Sequence, residues 1–337
     1  MARRPVTARS RFERLPIVHQ LRQSVGLQRG MLVAGLVLTA IFVLCALLAP
    51  WLAPYSYSQL SDADGANFGA QQPPSAEHLL GTTVGGYDVL SRVIWGAQTA
   101  LMVVVVAIAM SVVFGIVLGL VSGYLGGWVD KALVVVADAI YAFPTLLLAI
   151  VVAIAINNGQ SGLWPGILAA AASITVVFIP QYFRVVRAEV VRVKSEAFVE
   201  SAQVIGASTP RIMFRHVLRN STRTLPLIVT LNASEAIATL AALVFLGFGI
   251  QPTVAAEWGF DLNKSISDVA AGIWWTAIPP GIAIVLTILG ITLIGESLND
   301  LADPRLRARR RSKASQTPAD AVASHQPTAQ EFMGEVQ

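Results

Sequence analysis

The residue types that ordinarily do chemistry are sparse in this chain and poorly spaced for it. One cysteine, Cys45, stands in an apolar run, so neither an intramolecular disulfide nor a thiolate metal cluster can form. His19, His78, His216 and His325 lie far apart, without the close His/Glu or Cys/His spacings of a zinc site. No Gly-Lys dipeptide occurs, so the G-x-x-x-x-G-K-[ST] phosphate loop is missing, and so is the G-x-S-x-G nucleophile elbow. The chain is therefore expected to be no enzyme, to bind no metal or cofactor itself, and not to hydrolyse ATP. The polar groups that stand out do so by location: Asp138, Glu235 and Glu296 fall within long apolar runs. An ionisable group at bilayer depth is costly and ordinarily faces a bundle interior or an aqueous path. Asp138 can line such a path or pair with a charge on a partner subunit. Glu235, midway along "LNASEAIATL" among Ala233, Ser234, Ala236 and Ala238, reads as path-lining or inter-subunit. Glu296 lies within a turn of its run's end and can reach water.

These groups must be positioned by membrane helices. Apolar residues make up 55% of the 337 and charged residues 13%, about half the share in a soluble domain. A spanning helix needs about 20 mostly apolar residues, because no lipid-facing backbone group can be left unpaired. Six stretches qualify: Met31 to Leu52, Thr99 to Ser122, Ala132 to Ile156, Leu163 to Phe183, Leu225 to Phe248 and Ala277 to Leu298. The expected fold class is an all-α membrane protein with six transmembrane helices. Pro144 removes a backbone donor inside the third stretch, which predicts a kink there. Of the 24 Lys and Arg residues, 22 lie before the first stretch, after the last, or between stretches two and three or four and five. Only Arg92 and Lys264 fall in the other loops, so the positive-inside rule predicts both termini in the cytoplasm.

The segments outside the spans differ in character. Residues 1–30 form a basic cytoplasmic lead, and the first apolar run is too long for a cleaved signal peptide, which predicts an uncleaved anchor. The 31–298 domain carries a periplasmic loop over 53–98, whose acidic balance suits either plain solvation or the docking of a soluble donor protein. The cytoplasmic tail, 299–337, is expected to be disordered after about 311 because large apolar residues become rare. Gly115, Gly119 and Gly123 repeat at four-residue spacing, which lets helices approach closely, either within the chain or between chains.

The cytoplasmic segment 184–224 is too long for a simple connection and reads as two amphipathic helices. The first runs from Lys194 to Ile205, with Phe198, Ala202 and Ile205 sharing a face. Gly206 suits the left-handed position that ends a helix. Thr209 can cap the second helix, with Pro210 in its first turn. That helix carries Met213, Phe214, Val217 and Leu218 beside a ladder of Arg211, Arg215, Arg219 and Arg223. Two readings are open: a lever that docks another protein, or an interfacial helix lying on anionic lipid.

A resemblance separates them. "ESAQVIGASTPRIMFRHVL", Glu200 to Leu218, resembles the E-A-A signature of the membrane subunits of binding-protein-dependent ABC importers. Glu200, Ala202 and Gly206 match it, Ser201 replaces the middle alanine, and Arg219 stands where a proline is common. "LLGTTVGGYDVLSRVIWGAQTAL" is similar to a segment before the second span in the dipeptide, oligopeptide and nickel branch, with Thr83 and Tyr87 departing from its usual Asp and Arg. "GYLGGWVDKALVVVADAIYAFP", "EAIATLAALVFLGFGIQP" and "NDLADPR" also resemble the C-type permease of that branch, so the likeness covers about 25–310 in order. The resemblance implies an inner-membrane permease with the type I importer fold, forming half of a path for dipeptides or oligopeptides. It also implies two ATPase subunits, or one fused chain, which hold ATP and Mg. A second related permease, an extracytoplasmic substrate-binding lipoprotein and membrane lipid complete the implied partners, with no nucleic acid. Glu200, Ser201, Ala202, Gly206, Thr209, Pro210, Arg211 and Phe214 would couple to the ATPase. Asp138 and Glu235 are the candidates for the translocation path. Nickel-chelate or other small-solute import, and an ion-coupled secondary transporter, remain as alternatives.

Overall fold

Helix follows helix along the computed structural model, which describes residues 27–62, 64–156, 162–250 and 253–302. Most of the basic lead and the tail after 302 lie outside the described residues, so the expected disorder after 311 cannot be compared with them. Contacts divide the chain into a unit over 33–295 and a smaller one of residues 1–32 and 296–337. The described part of the smaller unit is the start of α1 (Leu27–Leu47) and the end of α13 (Ile278–Ala302).

In the larger unit, α3 (Val89–Leu125) and α6 (Leu163–Lys194) form the central pair. The glycine spacing explains their contact. Gly115 sits against Tyr182, a Cβ on Gly119 would stand 2.9 Å from the Phe183 carbonyl, and one on Gly123 would stand 2.9 Å from Val190. The ladder is therefore filled within the chain. Rising residue numbers on α3 meet rising numbers on α6, so the two run parallel. Thr175 on α6 donates to the Ala107 carbonyl at 3.2 Å, and Ala107, Ile174, Tyr182 and Val186 are buried along the seam. α10 (Leu225–Phe245) packs on α3, α6 and α5 (Thr145–Ile156).

Among the described residues five helices are long and apolar enough to cross a membrane: α1, α3, α6, α10 and α13. The sixth candidate is a broken pair, α4 (Gly127–Tyr141) and α5, bent by 100°. The expected kink before Pro144 is thus a full elbow. Two other boundaries are corrected. α3 begins at Val89 rather than Thr99, because Asp88 caps it by accepting from the Ser91 amide at 2.8 Å. The loop of 53–98 is therefore helical from 89. α6 runs on to Lys194, whose ammonium reaches the Tyr124 carbonyl at 2.6 Å, so the 184–224 segment starts as a rigid continuation of a span.

A short helix, α2 (Ala49–Leu52), leads into a loop over 53–88 that folds over the start of α3. There it meets α11 (Trp258–Lys264) and α12 (Ile266–Ala270), which follow α10. Arg92, expected in a loop, sits in the first turn of α3 with 1% of its surface exposed. Its Nε donates to Asp261 at 2.7 Å and its Nη1 to the Tyr57 carbonyl at 3.2 Å. Trp258 donates to the Val93 carbonyl at 3.0 Å, Gln71 to Asp268 at 2.5 Å, and the buried His78 meets Asp88 at 3.0 Å. Glu257, 1% exposed, caps α11 by accepting from the Phe260 amide at 2.9 Å. Burial pushes its carboxyl up to about 8, with the neighbouring Asp261 adding to the rise.

Candidate coupling site and membrane path

At the opposite end of α3 and α6 the chain leaves the bundle as α7 (Ala197–Val204). α7 closes on Gly206 at φ +85, with the Gly206 amide donating to the Gln203 carbonyl at 2.9 Å and the Ala207 amide to Ala202 at 3.0 Å. Those two bonds satisfy carbonyls that a helix end leaves free, and the positive φ is why a residue without Cβ stands there. Among the described residues none beyond its chain neighbours lies within 4 Å of where a Gly206 Cβ would sit, so the requirement is conformational.

The second element departs from a plain helix. α8 (Thr209–Arg211) starts after Ser208, which is the capping position, and Thr209 is already helical. No side chain caps this end, so the capping role expected of Thr209 is not filled. Pro210 does stand in the first turn. Ile212–Val217 then form a π-helical turn before α9 (Leu218–Ser221). Such widened turns are rare and occur frequently at functional sites.

The buried face of the module is Val199, Ile212 and Val217, with Ala202, Met213 and Leu218 packed beside it. This corrects the expected face of Phe198, Ala202 and Ile205. Phe198 and Ile205 point outward, and only Ala202 is partly enclosed. Val204 is 84% exposed, Ile205 85% and Phe214 57%, so the turn at Gly206 is edged with large apolar side chains that nothing among the described residues covers. Glu200, Ser201, Thr209, Pro210 and Arg211 are exposed around them, as are Arg215, Arg219 and Arg223. Spacing assigns Val204 no part and places Ile205 on the packing face, so it shows the outward position of neither. Their sole signal was position, directly before Gly206.

The two acidic candidates are not brought together. Asp138 accepts from Arg184 at 2.8 Å, both half-exposed, and the Arg184 guanidinium lies 4.3 Å from the centre of the Tyr141 ring. One turn away Arg187 holds Asp130 with both nitrogens, at 2.5 and 2.7 Å, and Ser122 joins at 2.5 Å. These pairs tie α4 to α6, and the three-residue spacing of Arg184 and Arg187 was their readable trace. Glu235 lies exposed on α10, and Glu296 is exposed on α13.

The geometry defines a class first: a multi-span helical membrane protein with one broken span and a projecting helical tip edged with uncovered apolar residues. Comparison with known proteins gives the family. Residues 115–308 match the binding-protein-dependent transport system inner membrane component, and residues 27–74 match the N-terminal transmembrane domain of oligopeptide transport permease C. The chain is 38% identical over 286 residues to the glutathione transport system permease protein of Salmonella typhimurium, covering 85% of this chain and 88% of that one. It is 35% identical over 276 residues to the dipeptide transport system permease protein of Alkalihalophilus pseudofirmus, covering 82% and 86%. The chain belongs to the family of binding-protein-dependent transport system inner membrane components. It is a transport permease of the inner membrane, with the type I importer fold.

Proposed function

We propose that this chain is half of the translocation path of an ATP-driven peptide importer and that the tip around Gly206 docks a separate ATPase subunit. The observation that carries the reading is the exposed apolar rim of Val204, Ile205 and Phe214 beside a turn that only glycine adopts without strain. Exposed apolar side chains clustered at one projecting turn mark an interaction surface. The rigid run of α6 to Lys194, the ion pairs to α4 and the Val199–Ile212–Val217 core give that surface a stiff connection to the spans. Glu200, Ser201, Ala202, Thr209, Pro210 and Arg211 complete the docking face. Both termini lie in the cytoplasm in this reading, with 1–30, 31–298 and 299–337 as lead, permease domain and tail. ATP and Mg stay on two ATPase subunits or one fused chain. A second, related permease closes the path, and a lipoprotein delivers cargo on the outer side. Glu235 and Asp138 border the path. The named cargoes of the similar permeases, glutathione and dipeptide, support a peptide substrate over a nickel chelate.

Gly206→Val tests the reading. A β-branched residue at φ +85 costs about 1–2 kcal/mol or more of local strain, while no span is touched. The expected result is normal membrane insertion with transport reduced roughly tenfold, since 1.4 kcal/mol is one decade. Wild-type transport and ATPase stimulation in the inserted variant would remove the docking assignment.

A further inference from the structure

A cavity of about 190 Å³ opens where the third span breaks, bounded by Tyr141, Phe143 and Thr145 at the elbow, Phe178 and Gln181 on α6, and Glu235 on α10. Broken membrane helices are tolerated where their freed backbone lines such a space. Glu235 is the middle residue of the 21-residue α10, so its carboxylate stands at bilayer depth. No Lys, Arg or His lines the cavity among the described residues. The cation beside Tyr141, Arg184, is engaged by Asp138. The last turn of α4 borders the same space, and a helix C-terminus carries a partial negative charge. Negative potential from the carboxylate and the helix end thus falls on one partly open chamber with no positive group among its lining residues. The chamber holds roughly six waters, which is room for one aminoacyl end of a cargo.

We infer that Glu235, with Gln181 beside it, forms a selectivity site for a primary ammonium group, above all the free amino terminus of a peptide in transit. This rests on the peptide-import reading and adds to it: the membrane passage itself, and not only the delivering lipoprotein, discriminates charged from blocked amino termini. A cargo whose amine is acetylated leaves the carboxylate without a cation at bilayer depth and gains nothing from it.

The test uses the whole complex in proteoliposomes, with its partner permease, ATPases and lipoprotein, and follows uptake of dialanine and N-acetyl-dialanine. The lipoprotein is common to all samples, so the change in the uptake ratio between wild type and Glu235→Gln isolates the permease. The expected result is a fall of about tenfold in the ratio of free to acetylated peptide uptake, the loss of one hydrogen bond to a charged group. An unchanged ratio, with both cargoes slowed alike or neither slowed, overturns the site. Should the wild-type complex import neither peptide, the peptide reading has failed, and a second measurement decides the site by itself. In a Cys45→Ala background, alkylation of Thr145→Cys is expected to be slowed by alanine amide and not by N-acetylalanine amide, with the difference lost on adding Glu235→Gln. Equal alkylation rates with the two amides would overturn it.

Discussion

The two ends of α3 solve opposite problems with similar residue types. At the loop end, charges and an indole are turned inward: Arg92, Asp261 and Trp258 are buried and interlocked by contacts spanning more than 160 residues of sequence, with the buried Glu257 beside them. At the Gly206 end, aliphatic and aromatic side chains are turned outward, and the polar residues around them are exposed as well. A buried charge network fixes one arrangement, because removing any member strands another in a dry site. An apolar rim left uncovered by the described residues fixes no arrangement among them and gains when a partner or a lipid surface covers it. The difference separates residues that make the fold from residues that the proposed docking would cover.

The largest expected effect lies at the fold-making end. Arg92→Ala leaves Asp261 buried without its guanidinium and should destabilise the chain by about 3–5 kcal/mol, seen as a loss of the full-length chain from membranes. Replacing both partners, Arg92→Met with Asp261→Leu, should recover most of that level, since an apolar pair of similar volume leaves no charge behind. A double variant as depleted as the single one would mean that the site needs its charges for something other than mutual pairing.

A smaller effect is expected from pH at the same end. Glu257 holds its proton up to about 8 in the folded chain, against 4.5 for a free glutamate. The folded state therefore binds the proton more tightly, so its stabilising contribution is complete below about 4.5 and is lost as pH climbs through 8. Thermal unfolding followed by tryptophan fluorescence should shift to lower temperature between pH 5 and 8, and Glu257→Gln should flatten that slope. An identical slope in the variant would assign the pH dependence to another group.

The same contrast explains what could be read beforehand. Span positions, the glycine ladder, the break before Pro144 and the conformation of Gly206 follow from local rules: apolar length, small-residue spacing, a missing N–H, a missing Cβ. The burial of Arg92 does not, since its partner Asp261 is 169 residues away. The face of α7 was misread for a physical reason. Spacing arguments assume that apolar residues turn inward, whereas Phe198 and Ile205 stay outside and the smaller Val199 and Ala202 supply the packing. The assumption fails at functional sites, and the proposed docking role would account for its failure here. The π-helical turn at Ile212–Val217 left no trace in residue type, and it shifts the arginines after Arg211 from simple four-residue register.

Those four exposed arginines beside apolar residues also suit a membrane surface, so the decisive measurement asks what Ile205 touches. A photoreactive phenylalanine analogue in place of Ile205, illuminated in intact membranes containing the assembled complex, should crosslink to the ATPase subunit and thereby also place this end in the cytoplasm. Crosslinking to lipid alone, with the ATPase subunit present and unmodified, would contradict the account and make α7–α9 a surface-lying helix pair.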